Sequence, residues 1–241
     1  MELFDIHQLK SQKDCFGTML KLDLHVHSKY SDDAKGSTKD IIKNIKKKGL
    51  DGFALTDHNS LKGVKKALKY KDKDFIIIPG VEVSTNEGHL LALNVHENIK
   101  KRLPLEETIE EIKSKGGTPV VPHLFRSMSG IKEKNLEKTT DKITSIEVFN
   151  ACSLPKTNVK TAKIAKKYNL GGTGGSDAHS PEYAGYSYTT LDINSHDIDS
   201  IMSEIENKKT WGEGKTMPLT YRRNRMIKSI KQFFKRGMKR V

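Results

Sequence analysis

Short apolar segments alternate with longer amphipathic segments along most of the chain. Strands are predicted at 20–27, 51–58, 75–84, 89–95, 117–123, 145–151, 171–177 and 188–193. Helices are predicted at 37–49, 60–71, 104–115, 155–169 and 195–208. Because this alternation is typical of parallel sheets covered by helices, the pattern predicts an α/β fold with mostly parallel strands.

The first predicted strand carries polar side chains inside an apolar run, in the segment "LDLHVHSKYSDD" (22–33). Side chains alternate between the two faces of a strand, which predicts Asp23, His25 and His27 on one face and Leu22, Leu24 and Val26 on the other. Two imidazoles separated by one residue on the same face can bind one metal ion. A pair of hydrogen-bonded structural histidines is the alternative.

Later predicted strands also begin or end with side chains that can bind metals. These side chains are Asp57, His58, Glu82, His89, His123, Asp177 and His179. In barrels of alternating strands and helices, active sites lie at the C-terminal ends of the strands, so we expect these side chains to meet. Imidazole nitrogens combined with carboxylate oxygens favour Zn, Mn or Fe over Ca. The sequence therefore predicts a site for several metal ions, and it leaves His7, His96 and His196 as surface residues.

The ordered motifs resemble those of a known superfamily. The segments "DLHVHSKYSDD", "LTDHNS", "PGVEVS", "PH" and "GGSDAHSP" are similar to the successive motifs of the PHP (polymerase and histidinol phosphatase) superfamily. The resemblance implies a distorted (β/α)7-type barrel that holds three divalent metal ions, Mn, Zn or Fe, at the C-terminal ends of its strands.

The resemblance also implies a ligand set for each ion. The first ion would be held by His25, His27, Glu82 and Asp177; the second by Glu82, His89 and His123; and the third by Asp32, His58 and His179. Glu82 would bridge the first two ions. His96 is the alternative to His89, because the spacing between the Glu and this His varies in the family.

The expected chemistry is hydrolysis of phosphate esters by a metal-bridging hydroxide. Arg126, three residues after His123, is a candidate for binding phosphate oxygens, and Lys29 and Tyr30 are further candidates. Asp57 is expected either to orient a ligand or to cap a turn. The glycine-rich segment "GGTGG" (171–175) indicates close backbone packing rather than a phosphate-binding loop.

The expected function is that of a metal-dependent phosphoesterase acting on nucleotides or other small phosphomonoesters or phosphodiesters. The first alternative is a nucleic-acid exonuclease that uses a basic tail for substrate binding. A second is a non-catalytic, metal-stabilised interaction module, and a third is hydrolysis of a carbon–nitrogen bond. Only 40 residues separate Glu82 from His123, fewer than in nucleotidase-type relatives, and this leaves the substrate open.

Composition narrows the class of protein. The chain has 241 residues, of which 35% are hydrophobic and 30% charged, and no apolar run approaches the roughly 20 residues of a membrane span. The two cysteines, Cys15 and Cys152, are far apart, so a disulfide framework is not expected. The beginning of the chain lacks the pattern of a signal peptide, and the expected location is cytoplasmic.

The positive charge is concentrated near the end of the chain. Residues 222–241 carry nine Lys and Arg and no acid, out of a net charge of +13. The expected division is a lead-in segment (1–19), a metal-dependent phosphoesterase domain (20–212) and a basic helical extension (213–241). Apolar side chains recur there at helical spacing: Ile227, Ile230, Phe234 and Met238. This helix is expected to pack that stripe on the barrel, with binding to nucleic acid or to an anionic membrane surface as alternatives.

Overall fold

A computed structural model describes residues 19–235 and residue 237. Its strands are β1 (Leu20–Val26), β2 (Gly52–Leu55), β3 (Ile76–Ser84), β4 (His89–Leu93), β5 (Thr118–Val121), β6 (Ser145–Asn150), β7 (Gly171–Gly175), β8 (Ser187–Leu191) and β9 (Thr210–Gly214). Its helices are α1 (Thr38–Lys47), α2 (Lys62–Ala67), α3 (Leu105–Ser114), α4 (Glu133–Glu137), α5 (Pro155–Lys167), α6 (Ile198–Glu206) and α7 (Leu219–Lys235). Each predicted strand and helix of the body is present, and β9 and α4 are additional.

The strands form one sheet in the order β7-β6-β5-β4-β3-β2-β1-β8-β9. Beyond its strand end, β1 also approaches the segment after β7: the His27 amide donates to the Ala178 carbonyl at 3.0 Å, and the Asp177 amide donates to the His25 carbonyl at 2.7 Å. These bonds nearly close the sheet into a barrel. The predicted α/β barrel-type fold is therefore confirmed.

The expectation of mostly parallel strands is wrong. Four neighbouring pairs are parallel and four are antiparallel, the latter around β4 and β8. For β4, the reason is its short connection to β3, residues 85–88. A parallel crossover needs a dozen or more residues, so a connection of this length produces a hairpin.

Two apolar cores hold the sheet in place. The larger lies between the strands and helices α1, α2, α3 and α5, and it includes Ile41, Phe53, Ile109 and Ile164. The smaller is formed by residues of β1 to β5 and β8 with α6, including Ile201 and Ile205. Helices α1 and α3 bury their isoleucines at i, i+3 and i+4 spacing, as an amphipathic helix on a sheet does.

The predicted alternation along β1 does not hold over its full length. Leu22 and Leu24 belong to the smaller core, whereas Val26 belongs to the larger one. The pairing of β1 with β2 shifts register between Asp23 and Val26, and such an irregularity redirects the side chains that follow. This shift lies directly beside His25 and His27, at the strand end.

The glycines of β7 allow close packing, as predicted. A Cβ atom on Gly174 would lie 2.2 Å from the Tyr188 carbonyl oxygen, and one on Gly175 would lie 2.3 Å from the Cβ of His25. Both distances are below any real Cβ contact. The absence of a Cβ at Gly174 and Gly175 therefore allows β8 and His25 of β1 to approach the β7 backbone.

Helix α7 follows β9 after a short connection in which Met217 is buried. Strand β9 crosses the expected boundary between residues 212 and 213. The apolar residues of the predicted stripe are exposed, with 42% of Ile227, 39% of Ile230 and 64% of Phe234 accessible. The expectation that they pack on the barrel is wrong.

Some predictions fall outside the described residues: those for residues 1–18, with Cys15 and His7, and for Met238. Within the described part of the chain, Cys152 is a half-buried free thiol, and no helix is long and apolar enough to cross a membrane. His96 and His196 are exposed, as predicted.

Candidate metal centre

The Glu82 carboxylate is the centre of a buried cluster of histidines. Its Oε1 lies 2.7 Å from His89 Nδ1 and 2.9 Å from His123 Nε2. Its Oε2 lies 3.1 Å from His58 Nδ1, 3.2 Å from His27 Nε2 and 3.4 Å from His25 Nε2. One carboxylate thus contacts five imidazoles from four strand ends, and His89 rather than the exposed His96 is among them.

Asp177 contacts two of these imidazoles and adds that of His179. Its Oδ1 lies 3.5 Å from His27 Nε2, 3.7 Å from His25 Nε2 and 3.4 Å from His179 Nδ1. The Nε2 atoms of His25 and His27 are only 3.0 Å apart. The two adjacent histidines of the first motif therefore point their Nε2 atoms at one place, between Glu82 and Asp177.

The structure places Asp33, rather than Asp32, at the third part of the cluster. Asp33 Oδ2 lies 3.1 Å from His179 Nε2, and Asp33 Oδ1 lies 3.7 Å from His58 Nε2. Asp32 is exposed. Sequence could not separate two adjacent aspartates in a turn, because the direction of each side chain depends on the path of the loop. We therefore propose Asp33, instead of Asp32, as the carboxylate ligand of the third ion.

Two of the cluster residues adopt backbone conformations that are unusual for side-chain-bearing residues. His123 has a φ of 31° and Asp177 a φ of 53°, and Asn59, directly after His58, has a φ of 50°. Such conformations cost of order 1–3 kcal/mol each and persist where the surrounding structure holds them. The chain therefore turns sharply at His123 and Asp177, and directly after His58.

A second set of buried groups orients the imidazoles. Glu147 accepts from His25 Nδ1 at 3.0 Å, from the His123 amide at 2.9 Å and from Asn150 Nδ2 at 2.9 Å. Because His25 Nδ1 bonds to this carboxylate, its Nε2 is turned toward Glu82 and Asp177. Glu147 and Asn150 were not predicted; the sequence signal for them is that β6 carries the polar residues Ser145, Glu147 and Asn150 among its apolar ones.

Asp57 orients the loop after β1 rather than facing the cluster. It accepts from the Ser28 amide at 2.6 Å, from the Ser28 hydroxyl at 2.7 Å and from the Ser31 hydroxyl at 3.0 Å. Ser31 in turn lies 3.2 Å from His27 Nδ1 and accepts from the His58 amide at 2.9 Å. Asp57 thus acts on His27 and His58 through Ser31, which corresponds to the first of its two expected roles, orienting a ligand.

Burial and charge separate the pKa values of the clustered groups. Burial, and then the Arg126 guanidinium, lower the pKa of His123 to about 3; burial, and then Arg225, lower that of His179 to about 3. Burial alone would raise the pKa of Asp177, but Arg126 and His25 hold it well below its usual range. The pKa of Glu82 is likewise lowered, against burial, by His58 and His89. Carboxylates stay ionised here, and these two imidazoles stay neutral.

The donor atoms present fit divalent metal ions. Four groups of three ligand atoms lie within 4.8 Å of one another: His25, His27 and Asp177; His25, Glu82 and His123; His58, Glu82 and His89; and His27, His58 and His179. Asp33 Oδ1 and Asp177 Oδ1 are buried carboxylate oxygens without a hydrogen-bond donor. Buried anionic oxygens need a cation or a donor, which is consistent with a ligand role for the expected Asp177 and for Asp33, the neighbour of the expected Asp32.

A cavity of about 710 Å³ opens from the cluster, and we name it the arginine cavity. Its cationic residues are Arg126, Arg222, Arg223 and Arg225, and its apolar residues are Phe125, Met128, Leu154, Leu219, Met226 and Ile230. Arg126 forms an ion pair with Asp177 Oδ2 and donates to Asn150 Oδ1 at 3.3 Å. The predicted phosphate-binding arginine therefore stands beside a predicted metal ligand.

A second cavity, of about 570 Å³, lies on the other side of His58 and Asp33. We name it the lysine cavity, since its exposed cations are Lys62, Lys65, Lys101 and Arg102. Tyr30 and Asp32 also line it. Lys29 is exposed, with its ammonium 5.8 Å from the centre of the Tyr30 ring, and it lines neither cavity.

Helix α7 contributes a residue to the cluster that the sequence did not predict. Arg225 donates from Nη1 to Asp33 Oδ2 at 3.0 Å, and its Nη2 lies 2.8 Å from His179 Nε2. Lys228 donates to the Asp33 carbonyl at 2.9 Å. Arg225 and Asp33 are 192 residues apart in sequence, so no local pattern could have joined them.

Comparison with known families agrees with this geometry. The family model described as PHP domain matches residues 23–235, which includes all of the clustered residues and α7. The chain belongs to the PHP domain family.

Relatives of this PHP domain include characterised and uncharacterised proteins. An uncharacterized protein of Methanocaldococcus jannaschii is 35% identical over 145 residues, 55% of this chain and 82% of that protein. A 5'-3' exoribonuclease of Haemophilus influenzae is 32% identical over 136 residues, 54% of this chain but only 42% of that enzyme.

Solved structures share the fold. A two-domain protein of Bacteroides vulgatus, described as containing a predicted PHP-like metal-dependent phosphoesterase, superposes with a TM-score of 0.69. The identity is 18%, and the match covers 83% of this chain and 66% of that protein. At this identity the likeness shows the barrel-type fold alone.

Proposed function

We propose that this PHP domain is a metal-dependent phosphoesterase. The observation that carries the proposal is the Glu82 carboxylate, whose two oxygens contact four buried imidazoles and the half-buried imidazole of His58. A carboxylate shared in this way is suited to bridge two cations. Membership of the PHP domain family supports the same class of reaction.

Three divalent ions, Mn, Zn or Fe, are the proposed cofactors. The proposed ligands are His25, His27, Glu82 and Asp177 for the first; Glu82, His89 and His123 for the second; and Asp33, His58 and His179 for the third. Ions held by these ligands would activate water as the nucleophile and neutralise charge on the phosphoryl oxygens.

The protein's own side chains would bind and orient the ester. Arg126 presents a planar guanidinium at the entrance to the cluster and can donate to two phosphate oxygens at once. Glu147 and Asp57 keep the imidazoles oriented through His25 and Ser31. The apolar side chains of the arginine cavity would exclude water from the leaving group.

The substrate class proposed first is a small phosphomonoester or phosphodiester, such as a nucleotide, whose organic part fits the apolar side of the arginine cavity. A cytoplasmic location is proposed with it. The non-catalytic alternative is disfavoured by the complete set of clustered donors.

A nuclease is the second candidate, and the lysine cavity favours it. His58 and Asp33 line both cavities, so the cluster lies between two cationic surfaces. A substrate with phosphates on both sides of the reacting one, such as a nucleic-acid strand, would use both. The exoribonuclease relative supports this candidate.

The test is hydrolysis in Mn²⁺ of a generic monoester, a generic diester, nucleotides with one and two phosphates, and 5'-labelled RNA and DNA. Activity that disappears in Asp177→Ala supports a phosphoesterase. Shortening of the labelled strands, weakened by salt and by Lys62→Ala with Lys65→Ala, would identify the nuclease. Metal binding without turnover of any compound would contradict both and favour the non-catalytic alternative.

A further inference from the structure

The guanidinium of Arg225 contacts two acceptors that lie close together. Asp33 Oδ2 and His179 Nε2 are 3.1 Å apart, and Arg225 contacts each of them. The Arg225 side chain is 12% exposed, although the surrounding α7 is largely exposed. One side chain of α7 is thus inserted into the cluster.

The hydrogen bonds of His179 assign its tautomer. Its Nδ1 lies 2.9 Å from the carbonyl oxygen of Asp177, which can only accept, so Nδ1 carries the proton. Its Nε2 faces Arg225, which can only donate, and also Asp33 Oδ2 at 3.1 Å, which can only accept. With Nδ1 protonated and the imidazole neutral, Nε2 carries the lone pair, and Arg225 supplies the hydrogens for both acceptors. This is the tautomer that metal coordination through Nε2 requires, and Arg225 donates to that lone pair.

Arg225 and Arg126 face the same cavity from different elements. Arg126 comes from the loop after β5 and pairs with Asp177, whereas Arg225 comes from α7 and pairs with Asp33. Each guanidinium is therefore paired with a proposed metal ligand. Arg225 Nε is also buried without a hydrogen-bond partner, so the donor capacity of this side chain is not filled.

We propose that Arg225 binds the phosphoryl group of the substrate together with Arg126, and that α7 is the element that supplies it. A metal ion held by His179 would use the Nε2 lone pair, which would then no longer accept from Arg225. The guanidinium then keeps Asp33 as one acceptor and directs its remaining donors into the arginine cavity, where an anionic oxygen is the matching ligand.

This inference rests on the proposed function for the identity of the anion, but it is tested without hydrolysis. The measurement is calorimetric binding of inorganic phosphate to the Mn²⁺-loaded protein, with manganese content measured on the same samples. The variants are Arg225→Ala and Arg225→Lys. Lys231→Ala is the matched control, because it removes a cation from an exposed position of the same helix.

Arg225→Ala is expected to weaken phosphate binding roughly 10- to 100-fold, the usual effect of a lost charge-assisted contact, with manganese content unchanged. Arg225→Lys keeps the positive charge but not the planar guanidinium. Its phosphate affinity is expected to lie between that of Arg225→Ala and that of the unmodified protein. Lys231→Ala should stay close to the unmodified protein.

Unchanged phosphate affinity in Arg225→Ala would overturn the inference, and so would loss of manganese, since Arg225 would then act on assembly of the centre. If Arg225→Ala does not fold, Arg225→Lys decides: phosphate affinity equal to that of the unmodified protein overturns the proposal. Weakened phosphate binding in a protein that hydrolyses nothing would sustain the inference while the proposed function fails.

Discussion

At the residue scale, each buried carboxylate of the proposed metal centre lies beside imidazoles or a guanidinium. Glu82 is fully surrounded by imidazoles, and Asp177 and Asp33 each pair with one arginine. Removing one partner of a buried ion pair leaves an uncompensated charge and commonly costs about 3–5 kcal/mol. Substitutions in the cluster are therefore expected to affect folding as well as chemistry, and matched variants are needed.

Asp33 and Asp32 offer such a matched pair. Asp33→Ala is expected to lower the bound metal by about one ion per chain and to reduce hydrolysis at least 10-fold, because it removes the carboxylate beside His179 and His58. Asp32→Ala is expected to leave the bound metal and the rate of hydrolysis within about twofold of the unmodified protein, since Asp32 is exposed. Metal content by mass spectrometry and turnover would be compared, and the reverse result would restore Asp32 as the ligand.

At the element scale, β1 is fixed to the end of β7 and to the turn before β8 by one carboxylate. Asp23 is fully buried and accepts from the Ser176 amide at 2.8 Å, the Gly185 amide at 2.7 Å and the His25 amide at 3.3 Å. Two of the donors, the amides of His25 and Ser176, belong to segments that carry proposed metal ligands. Asp23 therefore holds the His25 backbone against the opposite strand end.

The Asp23 carboxyl predicts a pH dependence of stability. Burial raises its pKa from 3.8 to about 6, against the opposing effect of the amide donors. The folded state therefore holds a proton that the unfolded state releases between these values. The protonated Asp23 carboxyl therefore contributes to the free energy of unfolding. This contribution is fully present below about pH 4 and is lost as the pH rises through about 6, and the total loss is at most about 3 kcal/mol.

The measurement is denaturant unfolding of the metal-free protein and of Asp23→Asn across this range. The measured quantity is the free energy of unfolding of the unmodified protein minus that of the variant. This difference is expected to decrease from about pH 4 to about pH 6 and to stay constant at higher pH. Contributions from other titrating groups cancel in the difference. A difference that rises with pH would contradict the assignment.

At the scale of the whole molecule, the metal centre joins strand ends that are distant in sequence. Its proposed ligands come from the ends of β1, β2, β3, β5 and β7, the start of β4 and the loop after β1. Helix α7 adds Arg225 from the far end of the described chain. Metal binding should therefore stabilise the entire barrel rather than one loop.

Removal of metal is expected to lower the melting temperature. Ligand at 100 times its Kd stabilises a protein by about 2.7 kcal/mol, which corresponds to roughly 5–10 °C for a domain of this size. Calorimetry with and without a chelator would measure the shift. Glu82→Gln, which keeps the shape but replaces the carboxylate with a neutral amide that has one acceptor oxygen, should show a smaller shift. An equal shift in both proteins would argue against a bridging Glu82.

The sequence by itself determined the α/β barrel-type fold and the residue types at the strand ends. These features depend on local patterns: alternating apolar segments, and histidines or carboxylates directly after them. The motifs around His25, Glu82 and Asp177 are continuous in the chain, so their order was readable without a structure. The assignment of all these residues as metal ligands stays a prediction.

Only the tertiary structure decided which side chains meet. It placed Asp33 at the cluster and Asp32 in solvent, because the path of a loop after a strand depends on what it packs against. It brought Glu147 to His25 and Arg225 to His179 across long separations in sequence, and it left the apolar stripe of α7 exposed. Periodicity predicts that a helix has an apolar face, but the direction of that face follows from contacts such as the one between Arg225 and Asp33.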